Sequence, residues 1–219
     1  MRVILFQPPV FMRETPAIAL AKALAVPEIH IGDLVRAHVS QGTELGVRAL
    51  EIINSGTLFP DELITTILRD RLHRLARAEF LLVGYPHSEA QALALDALLR
   101  ELGMPLDSVV DLRPSEEQVE RRVRLRAGRR LCRDDRTHVF EPSVDHLPVE
   151  GVCNACGGEF YQSEENNEDF FRSRFRSREA ELEPITQHYA GQDLLVTVDA
   201  DGTPDEVAGR ALAALRLDR

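Results

Sequence analysis

The sequence predicts an α/β fold, a parallel β-sheet flanked by helices. Short apolar runs rich in β-branched residues have the length and composition of buried strands, at residues 2–6, 80–85, 108–112 and 193–198. Helical patterns follow the first two runs, at residues 17–24 and 88–102. Because strands that alternate with helices form parallel sheets, we expect helices on both faces and ligands at the carboxyl ends of the strands.

Two segments interrupt this alternation. Residues 30–59 are helical and amphipathic, and residues 129–164 combine Cys, Asp, Gly and Pro with short apolar segments. We therefore predict a core domain made of residues 1–29, 60–128 and 165–219, which carries one helical insertion and one small insertion.

The composition limits the classes of partner. A chain of 219 residues, 44% of them hydrophobic, can bury one sizeable core and carry small insertions. The net charge of -10 argues against nucleic-acid binding, since phosphate backbones are bound mainly by basic surfaces. No apolar run approaches the roughly 20 residues of a membrane span, and Met1 leads directly into the first strand. We expect a cytoplasmic monomer that contacts neither nucleic acid nor membrane.

The segment between the first strand and the first helix has the position of a phosphate-binding loop (P-loop). A functional P-loop reads G-x-x-x-x-G-K-S/T: glycines let backbone N–H groups surround the phosphates, the lysine reaches them, and the hydroxyl helps to hold Mg²⁺. Here the segment reads Gln7-Pro8-Pro9-Val10-Phe11-Met12-Arg13-Glu14-Thr15. Taken alone, it is equally consistent with an ordinary connection between a strand and a helix.

The same segment aligns without a gap with the G-P-P-G-A-G-K-G-T loop of adenylate kinases, and the chain resembles that family over essentially its whole length. Pro8, Pro9 and Thr15 match the loop. Arg13 takes the position of the lysine, and other residues replace the glycines, at Gln7, Val10, Met12 and Glu14. The resemblance implies a P-loop-kinase-like fold, the reaction of ATP with AMP to give ADP, and Mg²⁺ as a cofactor only if phosphoryl transfer survives.

These substitutions predict a damaged phosphate loop. Val10 is β-branched and resists the positive φ that glycine adopts at no steric cost. Phe11 and Met12 would occupy space that the phosphates need. Glu14 would place a carboxylate beside the phosphates, where like charges about 4 Å apart repel by roughly 4 kcal/mol at an intermediate dielectric.

The second insertion resembles the long, zinc-type lid of this family. It contains the spacing Cys132-x2-Asp135-x17-Cys153-x2-Cys156. Two short knuckles that face each other form a tetrahedral zinc site, so we predict a structural Zn²⁺ held by these four side chains. Asp135 stands where family members usually have cysteine, and Asp134 or His138 are alternative fourth ligands. The other interpretation is a metal-free lid held by hydrogen bonds.

The resemblance also carries nucleotide-binding residues over to this chain. In the first insertion, which matches the family's monophosphate-binding flap, the motif Gly32-Asp33-Leu34-Val35-Arg36 retains the arginine that meets the monophosphate. The residues matched to the adenine side are Thr57, Phe59, Gly84 and Gln91. The family's D-G-F-P-R motif reads Val83-Gly84-Tyr85-Pro86-His87. His87 thus replaces a phosphate-binding arginine, and Val83 replaces an acidic residue linked to Mg²⁺.

On the side of the lid, the resemblance implies a reduced set of catalytic arginines. Gly128-Arg129-Arg130 preserves a G-R-R motif, Arg174 occupies the position of the family's last catalytic arginine, and Ser163 replaces another. Arg13, Arg129 and Arg174 are therefore the predicted catalytic residues. Removing one electrostatic stabiliser commonly slows a reaction by roughly 10² to 10³, and several are missing here. Each retained arginine also fits an interpretation as a solvated surface charge.

The sequence leaves three functions open. The first is a catalytically impaired, nucleotide-binding pseudoenzyme that binds AMP in preference to ATP. The second is an active, divergent adenylate or nucleoside monophosphate kinase in which Arg13 replaces the lysine and Thr15 serves Mg²⁺. The third is an interaction module that binds no nucleotide. We favour the first, because an intact scaffold accompanies a degraded loop.

Overall fold

The fold is taken from a computed structural model. It describes residues 1–8, 15–55, 57, 59–75, 78–135, 138–140, 151–163 and 167–217. The predictions made for Val10, Phe11, Met12, Arg13 and Glu14 lie outside the described residues, so they rest on the sequence.

The described chain forms two compact units. Of the described residues, the first holds those within 1–7, 15–113 and 181–217, and the second holds residue 8 and those within 114–180. The segment predicted as the flap lies in the first unit, and the segment predicted as the lid lies in the second. Each unit has its own sheet and its own hydrophobic cluster.

A five-stranded parallel sheet lies at the centre of the first unit. In chain order its strands are β1 (Arg2–Phe6), β2 (Glu28–His30), β3 (Phe80–Val83), β4 (Ser108–Arg113) and β8 (Leu195–Asp199). They lie side by side in the order β2-β3-β1-β4-β8, and every neighbouring pair is parallel. The predicted parallel sheet is confirmed.

Helices cover both faces of this sheet. They are α1 (Pro16–Leu24), α2 (Ile31–Ser40), α3 (Glu44–Ser55), α4 (Asp61–Arg74), α5 (Glu89–Glu101) and α8 (Pro204–Leu217), with the end of α7 (Glu168–Ala190). Ile4 and Phe6 pack in one cluster with α4 and α5, whereas Val3 and Leu5 alternate with them along β1 and are equally buried. A strand with both faces buried is typical of a parallel sheet. Within the described ranges, no helix is long and apolar enough to cross a membrane.

The helices α2 and α3 approach each other closely at Gly46. A Cβ at this position would lie 2.0 Å from the carbonyl oxygen of His38, so glycine is needed there. Thr43 ties the turn between the two helices, since its hydroxyl lies 2.8 Å from His38 Nδ1 and accepts the Gly46 N–H at 3.1 Å. The flap segment therefore forms a close helix pair.

The second unit combines two helices with a small antiparallel sheet. Its strands β5 (Arg130–Cys132), β6 (Val139–Phe140) and β7 (Phe160–Tyr161) lie in the order β6-β5-β7. The helix α6 (Glu116–Ala127) packs against the first part of α7 through Val119, Val123 and Phe171. Arg172 joins the helices by a bidentate ion pair with Glu120, at 3.0 and 2.8 Å. These contacts fix α6 and α7, the two helices between which the cysteine-rich segment lies in the chain.

Candidate functional site

The turn after β3 lies at the carboxyl end of the main sheet. Gly84 there has a φ of +69° and donates its N–H to the carbonyl oxygen of Leu5 at 3.1 Å. A φ in the left-handed region favours glycine, and no described atom lies within 4 Å of the place where a Cβ would stand. The turn therefore leaves open space where ligands of parallel α/β sheets bind.

Gln91, on the first turn of α5, is held at both ends of its side chain. Its Oε1 accepts the backbone N–H of His87 at 2.8 Å, and its Nε2 donates to Asp61 Oδ1 at 2.5 Å. Ser88 caps α5 by accepting the N–H of Gln91 at 3.2 Å. An amide that makes one bond at each end keeps a second proton and a second lone pair. Gln91 is thus positioned and retains the capacity to contact a heterocyclic base.

The other residues predicted for the adenine side are Thr57, Phe59 and His87. Phe59 packs, partly buried, against the core cluster that contains Tyr85. The exposed ring of His87 meets Tyr85 edge to face, with the centroids 6.4 Å apart. Thr57 is exposed, and its hydroxyl lies 2.8 Å from Ser55 Oγ. Phe59 therefore packs on the core and His87 contacts Tyr85, whereas Thr57 contacts the end of α3.

Arg36, the arginine of the flap motif, lies in an exposed ion pair on α2. Its Nη2 is 2.5 Å from Asp33 Oδ1, and the two side chains are 74% and 64% exposed. Gly32 lets the guanidinium lie close to the helix, since a Cβ there would be 3.3 Å from Arg36 Nη1. Exposed pairs of this kind contribute about 0 to 1 kcal/mol, so an incoming phosphate can replace Asp33 at small cost.

Thr15 is the N-cap of α1, and it is the one predicted P-loop ligand that the structure describes. Its backbone is extended, with φ -112° and ψ 148°, and Pro16 follows at the first helical position. The hydroxyl makes no capping hydrogen bond, so α1 begins without using it. The hydroxyl thus remains a candidate ligand at a helix N-terminus.

The two arginines of the G-R-R motif have different surroundings. Arg130 Nη1 donates to the carbonyl oxygens of Gly128 at 2.9 Å and Arg129 at 3.2 Å, which stabilises the C-terminal end of α6. Arg129 itself is half-buried, and Arg174 is exposed on α7. Arg130 therefore has a structural role at the end of α6, and Arg129 remains the candidate for anion binding in this motif.

Four metal-binding side chains converge in the second unit. Their ligand atoms all lie within 4.8 Å of one another, and the residues are Cys132, His138, Cys153 and Cys156. The second knuckle is a tight turn, because Cys153 N–H donates to the Gly158 carbonyl and Gly157 N–H donates to the Cys153 carbonyl, both at 2.8 Å. The turn brings Cys153 and Cys156 to the same side.

The distances in this cluster fit a tetrahedral ion. Cys132 Sγ and Cys156 Sγ are 3.4 Å apart, and Cys153 Sγ is 3.6 Å from His138 Nδ1. At ordinary Zn–S and Zn–N bond lengths, two ligand atoms on a tetrahedral ion are separated by roughly 3.5 to 3.8 Å, so the separation of Cys153 and His138 falls in this range and that of the two sulfurs is slightly shorter. Three thiols and one imidazole are also a common donor set for structural zinc. The cluster can therefore hold a metal ion.

Asp135, the predicted fourth ligand, does not belong to this cluster. Among the described residues, His138 completes the set instead, and it was one of the two alternatives. The local backbone explains this result, since His138 N–H donates to the Asp135 carbonyl and Cys132 N–H donates to the His138 carbonyl, both at 3.0 Å. This turn places His138 beside Cys132 and leaves Asp135 outside the group of four ligand atoms. The Asp135 Oδ2 atom lies 3.7 Å from His138 Nε2.

The thiols of the second knuckle differ in acidity. Burial raises the pKa of Cys153, but hydrogen bonds from the backbone of Ala155 and Cys156 and from neighbouring thiols lower it to about 7. A backbone hydrogen bond at Gly158 lowers the pKa of Cys156, but the Cys132 and Cys153 thiols and burial raise it to about 11. The Cys153 thiol is therefore the more readily ionised of the two.

Comparisons with known proteins identify relatives of this chain. The family described as adenylate kinase matches residues 5–194. The adenylate kinase of Streptomyces coelicolor is 43% identical over 220 aligned positions, which cover 100% of this chain and 100% of that protein. The adenylate kinases of Streptomyces griseus and Streptomyces avermitilis are 42% and 43% identical, and the matches cover 99% and 100% of this chain and 98% of each relative.

The chain belongs to the adenylate kinase family.

In this adenylate kinase family member, the sequence did not reveal the role of Asp61. Its carboxylate holds the amide of Gln91 from α4, 30 residues away in the chain. The only sequence signal is an acidic residue in the first turn of a helix, after Pro60, and that pattern ordinarily serves the helix dipole. The pairing with Gln91 depends on the packing of α4 against α5, which periodicity does not specify.

The family member also has a polar cavity of about 330 Å³ beside the edge strand β2, lined by side chains that include Glu28, His30, His38, Asp70 and Arg74. Several of its charged groups pair with one another. His30 Nε2 lies 2.5 Å from Glu28 Oε1, and Asp70 Oδ2 lies 2.8 Å from Arg74 and 3.5 Å from His38. The hydrogen bond that His30 donates to Glu28 raises the pKa of His30 against the opposing effect of burial.

Proposed function

We propose that this protein is a cytoplasmic, nucleotide-binding member of the adenylate kinase family that binds AMP in preference to ATP and catalyses the family reaction poorly or not at all. The observation that carries the proposal is the contrast between its two nucleotide sides. Most residues that match the AMP side are retained, with His87 in place of one arginine, whereas the residues that match the ATP phosphate loop are largely replaced.

Three features support binding on the AMP side. Gly84 provides an open turn at the carboxyl end of β3. Gln91 is fixed by Asp61 and by the backbone of His87, so its amide needs no ordering before it contacts a base. Arg36 is exposed and is engaged in a weak surface pair with Asp33, so it is accessible to a phosphate.

The ATP side lacks the groups that phosphoryl transfer needs. Catalysis of this reaction depends on backbone donors, cations and Mg²⁺ around the transferred phosphate. Here Val10, Met12 and Glu14 replace glycines, and Val83 replaces the acidic residue linked to Mg²⁺. Arg129 and Arg174 retain positive charge, but two arginines do not replace a closed phosphate loop.

An active kinase is the second candidate. Its specific support is identity of 43% over the whole length of a relative named adenylate kinase, together with a Thr15 hydroxyl that the helix does not use. In that case Arg13 would serve in place of the lysine, and Mg²⁺ would be needed with ATP.

We also propose that the cysteine cluster holds a structural Zn²⁺. Cys132, Cys153, Cys156 and His138 supply a closed set of four ligands, which leaves no position for a reactive water. The ion would stabilise the lid segment and would not take part in phosphoryl transfer.

The decisive experiment is calorimetric titration of the zinc-loaded protein with AMP and, separately, with ATP and Mg²⁺, followed by an assay of ADP formation on the same sample. The proposal expects AMP binding with little ATP binding and little turnover. Turnover typical of the family would establish the active kinase, and failure to bind either nucleotide would favour the interaction module.

A restored phosphate loop provides the matched control. The combined substitutions Gln7→Gly, Val10→Gly, Phe11→Ala, Met12→Gly, Arg13→Lys and Glu14→Gly recreate the family loop. If the loop is the defect, this variant gains ADP formation that the natural chain lacks, and a further Arg129→Ala substitution reduces it. Turnover typical of the family in the natural chain, unchanged in the restored variant, would contradict the proposal.

A further inference from the structure

We infer that Asp135 is a positioning residue for the lid metal site, whose carboxylate holds His138 in the tautomer that binds the ion through Nδ1. The inference rests on the proposed zinc site and is independent of nucleotide binding. It gives Asp135 a role next to the ligand shell, in place of the role of direct ligand that the spacing of the motif predicted.

The two nitrogens of His138 face different groups. Nδ1 lies 3.6 Å from Cys153 Sγ, a separation that fits two ligands of one tetrahedral ion. Nε2, on the other side of the ring, lies 3.7 Å from Asp135 Oδ2. The imidazole therefore lies between the thiol cluster and the carboxylate.

This arrangement selects one tautomer. A neutral imidazole has a single N–H, and the metal needs the lone pair of the other nitrogen. A carboxylate beside Nε2 favours the proton on Nε2, which leaves the lone pair on Nδ1, directed at the thiols. Carboxylates that accept the second N–H of a metal-binding histidine orient the ring and raise its basicity.

The distance between Asp135 and His138 requires a small adjustment. The separation of 3.7 Å exceeds an ordinary N–H···O hydrogen bond by about 1 Å, and both side chains retain solvent exposure, 45% for Asp135 and 33% for His138. The inference requires the Asp135 side chain to rotate toward Nε2 when the ion is bound. The backbone hydrogen bonds between residues 132, 135 and 138 hold the turn without the carboxylate, so variants at Asp135 keep the local fold.

Asp134 does not occupy an equivalent position. Its Oδ2 lies 2.6 Å from the place where a Cβ of Gly158 would stand, on the side of Cys132. The two neighbouring aspartates therefore point to different parts of the cluster, and Asp135 is the one beside the second nitrogen of His138.

The first test is the tautomer of His138 in the zinc-loaded natural protein, read from long-range ¹H–¹⁵N correlations. Among the 7 histidines, the signal of His138 is assigned by its absence in a His138→Asn variant. The inference expects Nδ1 bound to metal and Nε2 protonated. A histidine bound through Nε2, or a ring unaffected by zinc, would overturn it while leaving zinc binding itself established.

The second test is zinc affinity, measured by competition with a chromophoric chelator. The inference expects Asp135→Ala to weaken zinc binding about 10- to 100-fold, the range measured for such outer partners. The zinc affinity of Asp135→Asn should fall between those of the natural protein and Asp135→Ala, because its amide oxygen still accepts a hydrogen bond from Nε2–H. Glu159→Gln, which removes the same charge from the same unit, is the control and should change the affinity less than about 2-fold.

The results separate the possible failures. An unchanged affinity in Asp135→Ala, or an equal loss in Glu159→Gln, overturns the positioning role. Absence of zinc from the natural protein overturns both the zinc site and this inference. Neither result affects the nucleotide proposal, which the AMP titration decides separately.

Discussion

At the scale of single residues, Arg36 is the most direct test of the proposed AMP side. Substitution of Arg36 by Ala removes the cation that we propose contacts the phosphate, and charge-assisted hydrogen bonds contribute about 1.5 to 3 kcal/mol. We therefore expect AMP affinity to fall by about 10- to 100-fold in calorimetry. Arg100→Ala removes an exposed arginine of α5 outside the site and serves as the control. Unchanged AMP affinity in Arg36→Ala would remove Arg36 from the site.

His30 makes the stability of the first unit depend on pH. Its folded pKa is raised above 6.5 by the hydrogen bond to Glu28, so protonated His30 favours the folded state. This contribution is fully present below the unfolded pKa and is lost as pH rises through the folded pKa. The Tm difference between the natural chain and His30→Asn should therefore be larger near about pH 5.5 than near about pH 8.5.

Thermal melts across that range check the prediction. His73→Asn, at an exposed position on α4, is the matched control. A Tm difference for His30→Asn that grows with rising pH would have the wrong sign and would contradict the assignment.

In the cysteine-rich segment, the sequence predicted three of the four candidate metal ligands, but not the local geometry that selects the fourth. Cys132, Cys153 and Cys156 were readable from spacing alone, because two short knuckles direct thiols to one point. The choice between Asp135 and His138 was not readable, since it depends on which side chain the turn after β5 directs inward. That turn is set by backbone hydrogen bonds which spacing does not encode.

At the scale of elements, the close contact of α2 and α3 at Gly46 predicts a severe response to a single methyl group. Gly46→Ala would place a Cβ 2.0 Å from a backbone oxygen of α2, which cannot move without shifting the helix. We expect destabilisation of about 1 to 3 kcal/mol in denaturant unfolding.

Gly209 supplies the control for this substitution. It lies inside α8, and no described atom lies within 4 Å of the place where its Cβ would stand. Gly209→Ala should therefore stabilise the protein by about 0.5 to 1 kcal/mol through helix propensity. Similar responses at both positions would mean that α2 and α3 are not in close contact.

The knuckle that contains Cys153 and Cys156 gives a second prediction at the scale of elements, for metal content and thermal stability. Replacing Cys153 and Cys156 by Ser removes two of the four candidate ligands, so the purified protein should lose its zinc and unfold at a lower Tm. Metal analysis and calorimetry on the same sample measure both effects. Zinc content equal to that of the natural chain would count against the site.

Element types were predictable where the hydrophobic pattern is long. β1 is a continuous apolar run and α5 has a helical period of buried residues, and both appear where the sequence places them. β2 was missed because three residues are too few to show an alternation. Its place in the sheet is set by pairing with β3, a contact between segments about 50 residues apart, as in the pair Glu28 and Leu81.

At the scale of the whole molecule, selective binding of AMP predicts selective stabilisation. A ligand present at 100 times its Kd stabilises the folded state by about 2.7 kcal/mol if it does not bind the unfolded chain. AMP should therefore raise the Tm in proportion to the logarithm of its concentration, and ATP with Mg²⁺ should raise it little. Equal shifts with both nucleotides would contradict the preference.

The whole-chain architecture was largely predictable, and the catalytic state was not. Alternating strands and helices predicted the parallel sheet, and the match over residues 5–194 shows the family. Activity depends on whether Arg13 and Thr15 can rebuild a phosphate site. That depends on atomic positions accurate to within about 1 Å, which residue types do not fix.

The order of strands in the main sheet also governs how the chain is made. β1 is synthesised first, yet it lies in the middle, where Arg2 pairs with Phe80 and Val3 pairs with Ser108. A nascent chain on the ribosome therefore cannot complete the centre of its sheet until β4 has emerged, and β8 pairs with β4 only after the whole lid segment has been synthesised. Products that stop before Leu195 leave the apolar edge of β4, with Val109 and Val110, open to pairing with other chains, so premature termination yields aggregation-prone fragments.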